Sequence, residues 1–382
     1  MKISLAQINP HIGNFRENTR KIIEYVRKAE AEGSELVVFP GLAVCGYPPL
    51  DLLERREFID KCRKELETIA HATRKVSVLI GAPTHNEAPA GKNLFNSAYF
   101  LSEGKIQDVF HKTLLPTYDI FDEYRYFEPN RDFRPLIYKG LRLAITICED
   151  LWDDQPVEQV FGKNRLYPVS PMEKLAASHP RLIINMAASP FSYRKIRVKK
   201  EIFTNKAKQY RIPVLSVNQV GAQTELIFEG ASLVVNSRGE VVHEMDVFRE
   251  DCYQIDTESI DRMKAVSFSS ETDPIPFIYE GLVLGIRDYF SKNGLNKAIL
   301  GLSGGIDSAV TLGIAAEALG RENLHVLMLP TRFSSGHSIS DAKKLAENLE
   351  IRYDIFPIEG LFSLSEQLLS PLFNNISGGI RT

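Results

Sequence analysis

With 382 residues, 46 lysines and arginines against 49 aspartates and glutamates, and a formal net charge of −3, the chain has the size for two or three domains. It has neither the basic excess of a nucleic-acid binder nor an acidic tail, no apolar run long enough to cross a bilayer, and an N-terminus, MKISLAQINP, that alternates like a strand and lacks the layout of a signal peptide. Its four cysteines, Cys45, Cys62, Cys148 and Cys252, have no metal-like spacing and do not describe a disulfide framework, so a reducing cytoplasm is expected.

In chain order the pattern predicts a strand at 2–8, an amphipathic helix at 18–32, a strand at 35–39, a second helix at 53–74 and a strand at 76–83. Hairpins with Gly-containing turns are expected at 97–110 and 231–245, and 141–147, 181–186 and 213–218 read as buried strands. The polar stretch KAVSFSSETDPIP, with two prolines, is expected to be a linker at 263–276, separating a domain at 1–262 from one at 277–382. After it, a helix at 277–292, a strand at 298–300, a Gly-rich turn with its helix, the strand HVLMLP and a helix at 340–348 follow a doubly wound α/β pattern.

The most informative stretch is AILGLSGGIDSAVTLGIAAEAL, where an apolar strand feeds Ser303-Gly304-Gly305-Ile306-Asp307-Ser308 and a helix opens at once. Glycines let successive N–H groups converge, and the helix N-terminus adds partial positive charge, which suits a pyrophosphate. No Gly-Lys-Ser/Thr follows, so this is not the common phosphate loop. Earlier in the chain, FHKTLLP places Lys112, and ITICEDLW places Cys148 with Glu149 and Asp150, each at a strand end. A cysteine there reads either as a small core residue or as a nucleophile forming a thioester, with a nearby lysine lowering its pKa and stabilising the oxyanion.

The Ser-Gly-Gly-x-Asp-Ser order resembles the PP-loop of ATP pyrophosphatases, and the succession LVVFP, NLFNSAYFLSEGKI, HKTLLP, DEYRYFEP, ICEDLW and INMAASPF resembles the nitrilase, or carbon–nitrogen hydrolase, superfamily. Joined in this order, and with AVCGYPPLDLL, CEDLW and SPFSYRK, they look like the glutamine-dependent NAD⁺ synthetases. The resemblance implies an α/β chain: an N-terminal α-β-β-α nitrilase-like sandwich, then an incomplete doubly wound PP-loop domain. It implies that glutamine is hydrolysed to supply ammonia, and that the nicotinate carboxylate of deamido-NAD⁺ is adenylated with ATP and Mg²⁺ and then amidated. Carried over by motif position, Cys148 is the nucleophile, Lys112 its electrostatic partner and Glu123 a supporting glutamate, while Tyr118, Ser189 and Lys195 match glutamine-binding positions. Gly301, Leu302, Ser303, Gly304, Gly305, Ile306, Asp307 and Ser308 match the ATP loop, and Arg332, in Thr331-Arg332-Phe333-Ser334-Ser335, falls near the nucleotide. A homo-oligomer is implied as well.

Two departures stand beside these matches. Nitrilase-type enzymes carry their general-base glutamate after Phe-Pro, whereas this chain reads Phe39-Pro40-Gly41. A general base is worth about 10²–10⁴-fold, so a severely impaired glutaminase is expected, with Glu123 and Glu149 as the substitute bases open. Residues 277–382 are also fewer than the roughly 150 that such a domain needs, so a fragment of a longer synthetase is expected. A stand-alone amidase carrying an ATP-binding module, and a non-catalytic oligomeric scaffold, are the competing readings; glutamine turnover with and without ATP separates the three.

Overall fold

The computed structural model describes residues 1–153, 167–193, 195–266 and 273–373. The chain divides into two compact units, Met1–Gly281 and Leu282–Thr382. In the first unit the elements are β1 (Lys2–Gln7), α1 (Phe15–Ala31), β2 (Leu36–Val38), α2 (Arg56–Ala72), β3 (Ser77–His85), β4 (Leu94–Ser102), β5 (Lys105–His111), α3 (Glu123–Tyr126), β6 (Leu136–Tyr138) and β7 (Leu141–Ile147). There follow α4 (Pro171–Ala176), β8 (Leu182–Ala187), α5 (Lys195–Tyr210), β9 (Val214–Asn218), β10 (Val220–Gln223), β11 (Leu226–Glu229), β12 (Leu233–Val235), β13 (Val241–Glu244) and β14 (Asp251–Asp256).

Two six-stranded sheets result, ordered β14-β1-β2-β3-β4-β5 and β13-β12-β9-β8-β7-β6. Their facing sides bury Ile3, Leu5, Val38 and Leu79 of one sheet against Ile145, Ile147, Ile184, Met186 and Val217 of the other. Outside the first sheet, Ile22, Val26 and Ala29 of α1 form one buried stripe with Leu66 and Ile69 of α2, as the helical period requires. Outside the second, Met172 of α4 and Phe203 and Ala207 of α5 cover Ala144, Ile183 and Val214. The architecture is an α-β-β-α sandwich. Strands β7, β8 and β9 are parallel, covered on both faces and almost wholly apolar, and their carboxyl ends lie side by side.

Gly81 fixes how the loop after β2 meets the sheet. A Cβ there would lie 2.1 Å from the Leu42 nitrogen, so only glycine lets β3 pass this loop. His111, the last residue of β5 before Lys112, stacks on Phe95 at 4.2 Å and pairs with the Ser97 hydroxyl at 2.7 Å.

Around the division of the two units runs α6 (Pro274–Lys292), followed by β15 (Ala298–Gly301), α7 (Ile306–Leu319), β16 (Leu324–Met328), α8 (Gly336–Asn348), β17 (Arg352–Ile355) and α9 (Glu359–Phe373). Strands β15, β16 and β17 form a parallel three-stranded sheet in chain order, with Leu312, Ala315, Val326, Met328, Ala342 and Ala346 in its core.

The sequence reading needs several corrections. Pro274 and Pro276 lie in the first turn of α6 rather than in a linker, a place where a missing N–H costs nothing. Residues 267–272 of that stretch lie outside the described residues. Helix α5 was not expected, because KIRVKKEIFTNKAKQY has too few apolar positions to show a clear stripe. The second helix starts at Arg56, after a separate 3-10 turn at Leu50–Glu54.

Two measurements test this packing. Gly81→Ala should lower the unfolding free energy by about 1–3 kcal/mol or more, because backbone must move to admit the methyl; an unchanged denaturant midpoint would contradict the close approach. Burial, with the charge of Arg134, lowers the His111 pKa to about 4. The folded state then binds fewer protons than the unfolded chain between pH 6.5 and 4, so stability should fall as pH drops through that window, and His111→Gln should flatten the fall.

Candidate functional site

Strand β7 ends in a 3-10 turn, Cys148–Leu151, and Cys148 itself has φ +47°, a left-handed conformation that a side chain with Cβ adopts only when its surroundings hold it. Two groups do so. The Asn185 amide donates to the Cys148 carbonyl at 3.1 Å, and the Asp150 carboxylate accepts from the N–H groups of Ile147 (3.1 Å), Thr113 (2.9 Å) and Leu114 (2.8 Å). Burial pushes Asp150 up to about 6, while those three donors pull it down.

Asp150 thereby ties the cysteine turn to the segment just after β5, which carries Lys112. The Lys112 side chain is buried and its ammonium donates to Glu123 Oε2 at 2.5 Å; Glu123 Oε1 accepts from the Tyr47 hydroxyl at 3.0 Å. Burial alone would lower the lysine's pKa, but Glu123 and the Cys148 sulfur more than offset it and the net shift is upward. The Cys148 thiol is itself pushed up to about 11 by burial, with Lys112 opposing and Glu149 and Glu123 reinforcing the rise. The structure therefore brings Cys148, Lys112 and Glu123 together, and adds Tyr47.

Gly41 lies in the buried loop after β2, with its N–H directed to the Ala187 carbonyl at 3.4 Å. A Cβ there would meet the Met186 carbonyl oxygen at 3.4 Å, an ordinary contact, so the backbone accepts a side chain at this position. No carboxylate is supplied from it.

A cavity that Cys148 lines is walled by Tyr118, Phe121, Glu149, Trp152, Ser189 and Phe191. The Tyr118 hydroxyl donates to Glu149 Oε1 at 2.6 Å and that of Tyr167 at 3.1 Å, while burial raises the Glu149 pKa. The Ser189 N–H donates to Asn218 Oδ1 at 2.9 Å, which fixes the loop bearing its hydroxyl. Tyr118 and Ser189 thus share the cavity of Cys148. The side chain of Lys195 lies outside the described residues. A second cavity, also lined by Cys148, runs past Lys199, Ser216, Asn218, Glu229 and Glu244.

In the second unit the turn 302–305 is held by its own hydroxyls. Ser303 N–H donates to Ser308 Oγ at 3.3 Å, Gly305 N–H to Ser303 Oγ at 3.2 Å, and the Ser308 hydroxyl to the Gly305 carbonyl at 2.9 Å. Gly304 has φ +82°, and a Cβ on it would lie 2.2 Å from the Ser338 carbonyl oxygen; at Gly305 it would meet only the Ser303 hydroxyl, at 3.3 Å. Gly301, Leu302 and Ser303 line a cavity of about 300 Å³ with Leu327, Pro330, Ser334 and Ser338. Ile306, Asp307 and Ser308 form the first turn of α7, with Asp307 exposed. Arg332 does not line this cavity: it bonds to Glu359 and Glu366 of α9 and stacks between the rings of Phe333 and Phe362.

Tyr47, Asp150, Asn185, Lys199 and Glu229 carried no sequence signal for a role at this site beyond Asp150's place after Cys148. Among the described residues no helix is long and apolar enough to cross a membrane, and no group of three or more His, Cys, Asp or Glu gathers to hold a metal.

A family model described as carbon-nitrogen hydrolase matches residues 2–158, and one described as NAD synthase matches residues 278–379. The glutamine-dependent NAD(+) synthetase of Synechocystis sp. is 40% identical over 99% of this chain and 68% of its own length, and that of Thermotoga maritima 34% identical over 98% and 68%. The solved structure of glutamine-dependent NAD+ synthetase from Acinetobacter baumannii in complex with ADP superposes with a TM-score of 0.87 at 33% identity, covering 99% of this chain and 68% of that one. An amidase of the nitrilase superfamily from Nesterenkonia shares the fold of the first unit, with a TM-score of 0.56 at 21% identity over 68% of this chain. With both family models matched in sequence order, and relatives of one name aligned along nearly its whole length, the chain belongs to the glutamine-dependent NAD(+) synthetases.

Proposed function

We propose that the first unit hydrolyses glutamine at Cys148, and that the second uses ATP to adenylate deamido-NAD⁺, whose adenylate the ammonia then converts to NAD⁺ with release of AMP. The buried Lys112 ammonium acting on a Cys148 held in a left-handed turn is the observation that carries the first half. A buried cation beside the thiol favours the thiolate and then the oxyanion of the tetrahedral intermediate. Glutamine would enter the cavity of Tyr118, Glu149 and Ser189, where a buried carboxylate suits its α-ammonium group; Lys195 belongs to this reading by its motif position alone.

In the second unit the converging donors of 303–305 at the start of α7 suit the pyrophosphate of ATP. Asp307, exposed in the first turn of α7, would help hold a Mg²⁺ ion that accompanies those phosphates, since this ion is bound through one or two carboxylates and substrate phosphates. Arg332, clamped by two carboxylates of α9, would reach a nucleotide after releasing them. Assembly as a homo-oligomer belongs to the same reading.

Gly41 sets the rate. Without its carboxylate the thiol, held near 11, lacks the proton acceptor expected there, so glutamine hydrolysis should be slow. Gly41→Glu should raise ammonia release from glutamine by about 10²-fold or more, and should do nothing alongside Cys148→Ala. Equal release before and after would show that position 41 does not limit the reaction. In the second unit, Gly305→Val should abolish ATP binding measured by calorimetry while shifting the unfolding midpoint only a little, because its Cβ crowds no backbone, only the Ser303 hydroxyl at 3.3 Å. Undiminished binding would make the turn a mere connection.

A further inference from the structure

Strand β11 ends at Glu229, whose side chain is buried and whose Oε1 receives the Lys199 ammonium. Its Oε2 is also buried and has no hydrogen-bond partner among the described residues. A buried carboxylate oxygen left unmet is rare in native proteins and calls for a ligand or a reaction. The cavity that Glu229 lines is also lined by Cys148. Lys199 connects the two electrostatically, since its charge opposes the rise of the Cys148 pKa.

Among the described residues, the other carboxylates that act on Cys148 or line its cavities are already engaged. Glu123 spends one oxygen on Lys112 and the other on Tyr47, Asp150 holds three backbone N–H groups, and Glu149 accepts from two tyrosines. Glu244, on the same cavity as Glu229, holds Lys200 at 2.7 Å.

We propose that Glu229 is the proton acceptor for Cys148 in this chain, standing in for the carboxylate that Gly41 does not supply. The assignment rests on the glutaminase reading given above. The Cys148 proton passes to Glu229 Oε2, directly or through one water in the shared cavity, and the sulfur lone pair forms the bond to the amide carbon. As the tetrahedral intermediate collapses, the carbon–nitrogen bond breaks and Glu229 returns the proton to the departing nitrogen, which leaves as ammonia. Water then attacks the thioester, giving one proton to Glu229; the carbon–sulfur bond breaks, and that proton restores the thiol as glutamate departs.

The test is a double-mutant cycle on ammonia release from glutamine. Glu229→Gln should lower turnover at least about 10²-fold in this chain but less than threefold once Gly41→Glu has restored the ordinary base. Glu229→Gln combined with Lys199→Met, which avoids stranding a buried ammonium, should give the same pattern if the single change impairs folding. The rate of Cys148 alkylation by iodoacetamide at pH 7 gives a second readout. It should fall at least about tenfold in Glu229→Gln if the carboxylate takes the proton, and rise if the carboxylate only disfavours the thiolate through its charge. Equal losses of turnover in both backgrounds, no loss in this chain, no measurable turnover by the unsubstituted chain, or faster alkylation would each overturn the assignment. If Gly41→Glu also fails to hydrolyse glutamine, the glutaminase reading itself falls.

Discussion

The carboxylate of Asp150 holds the candidate site in register without being placed to do chemistry. One of its oxygens takes the N–H groups of Thr113 and Leu114 and the other that of Ile147, so it joins the segment after β5, in one sheet, to the end of β7, in the other. Lys112 precedes the first pair of donors and Cys148 follows the last. The spacing of ammonium and thiol is therefore set by a backbone clamp rather than by two flexible side chains, which is how a reactive geometry survives thermal motion. The same clamp supports the left-handed backbone of Cys148, whose strain must be met by the surrounding structure.

Charge balance then explains why the site can be buried. An unpaired ammonium in an apolar interior is costly, and Lys112 is held there by Glu123 at 2.5 Å, itself steadied by Tyr47. Two more buried pairs brace the neighbourhood: Lys206 with Asp153 at 2.6 Å, just beyond the cysteine turn, and Lys199 with Glu229. Lys199 also donates to the Pro190 carbonyl at 3.0 Å, so the wall carrying Ser189 is anchored from behind.

Much of this was legible in the sequence because strand ends announce themselves. Apolar runs that stop at Cys148 and Lys112, and a Gly-rich turn that opens a helix at Ile306, mark both units before any contact is known. The partners were not legible, because they arrive from far along the chain. Tyr47 meets Glu123 across 76 residues and Asn185 meets Cys148 across 37, and no local period encodes such meetings. Helix α5, which carries Lys199 and Lys206, was hidden because its surface charge blurs the stripe that would betray it. The local partners of Arg332 were no more legible: its motif position says nothing of the two carboxylates of α9 and the two rings that hold the guanidinium here.

The contacts that shape the site do not include a side chain at position 41. The Lys112 charge is balanced by Glu123, the Cys148 turn by Asp150 and Asn185, and the loop after β2 by the close passage of Gly81; none of these depends on a carboxylate at position 41. A pocket shaped in this way keeps these contacts whether or not a carboxylate stands at 41. A glutamate added at 41 would begin from an open Cβ position, 3.4 Å from the nearest backbone oxygen. The scaffold is thus compatible with either residue, beside a thiol that its burial keeps protonated at neutral pH.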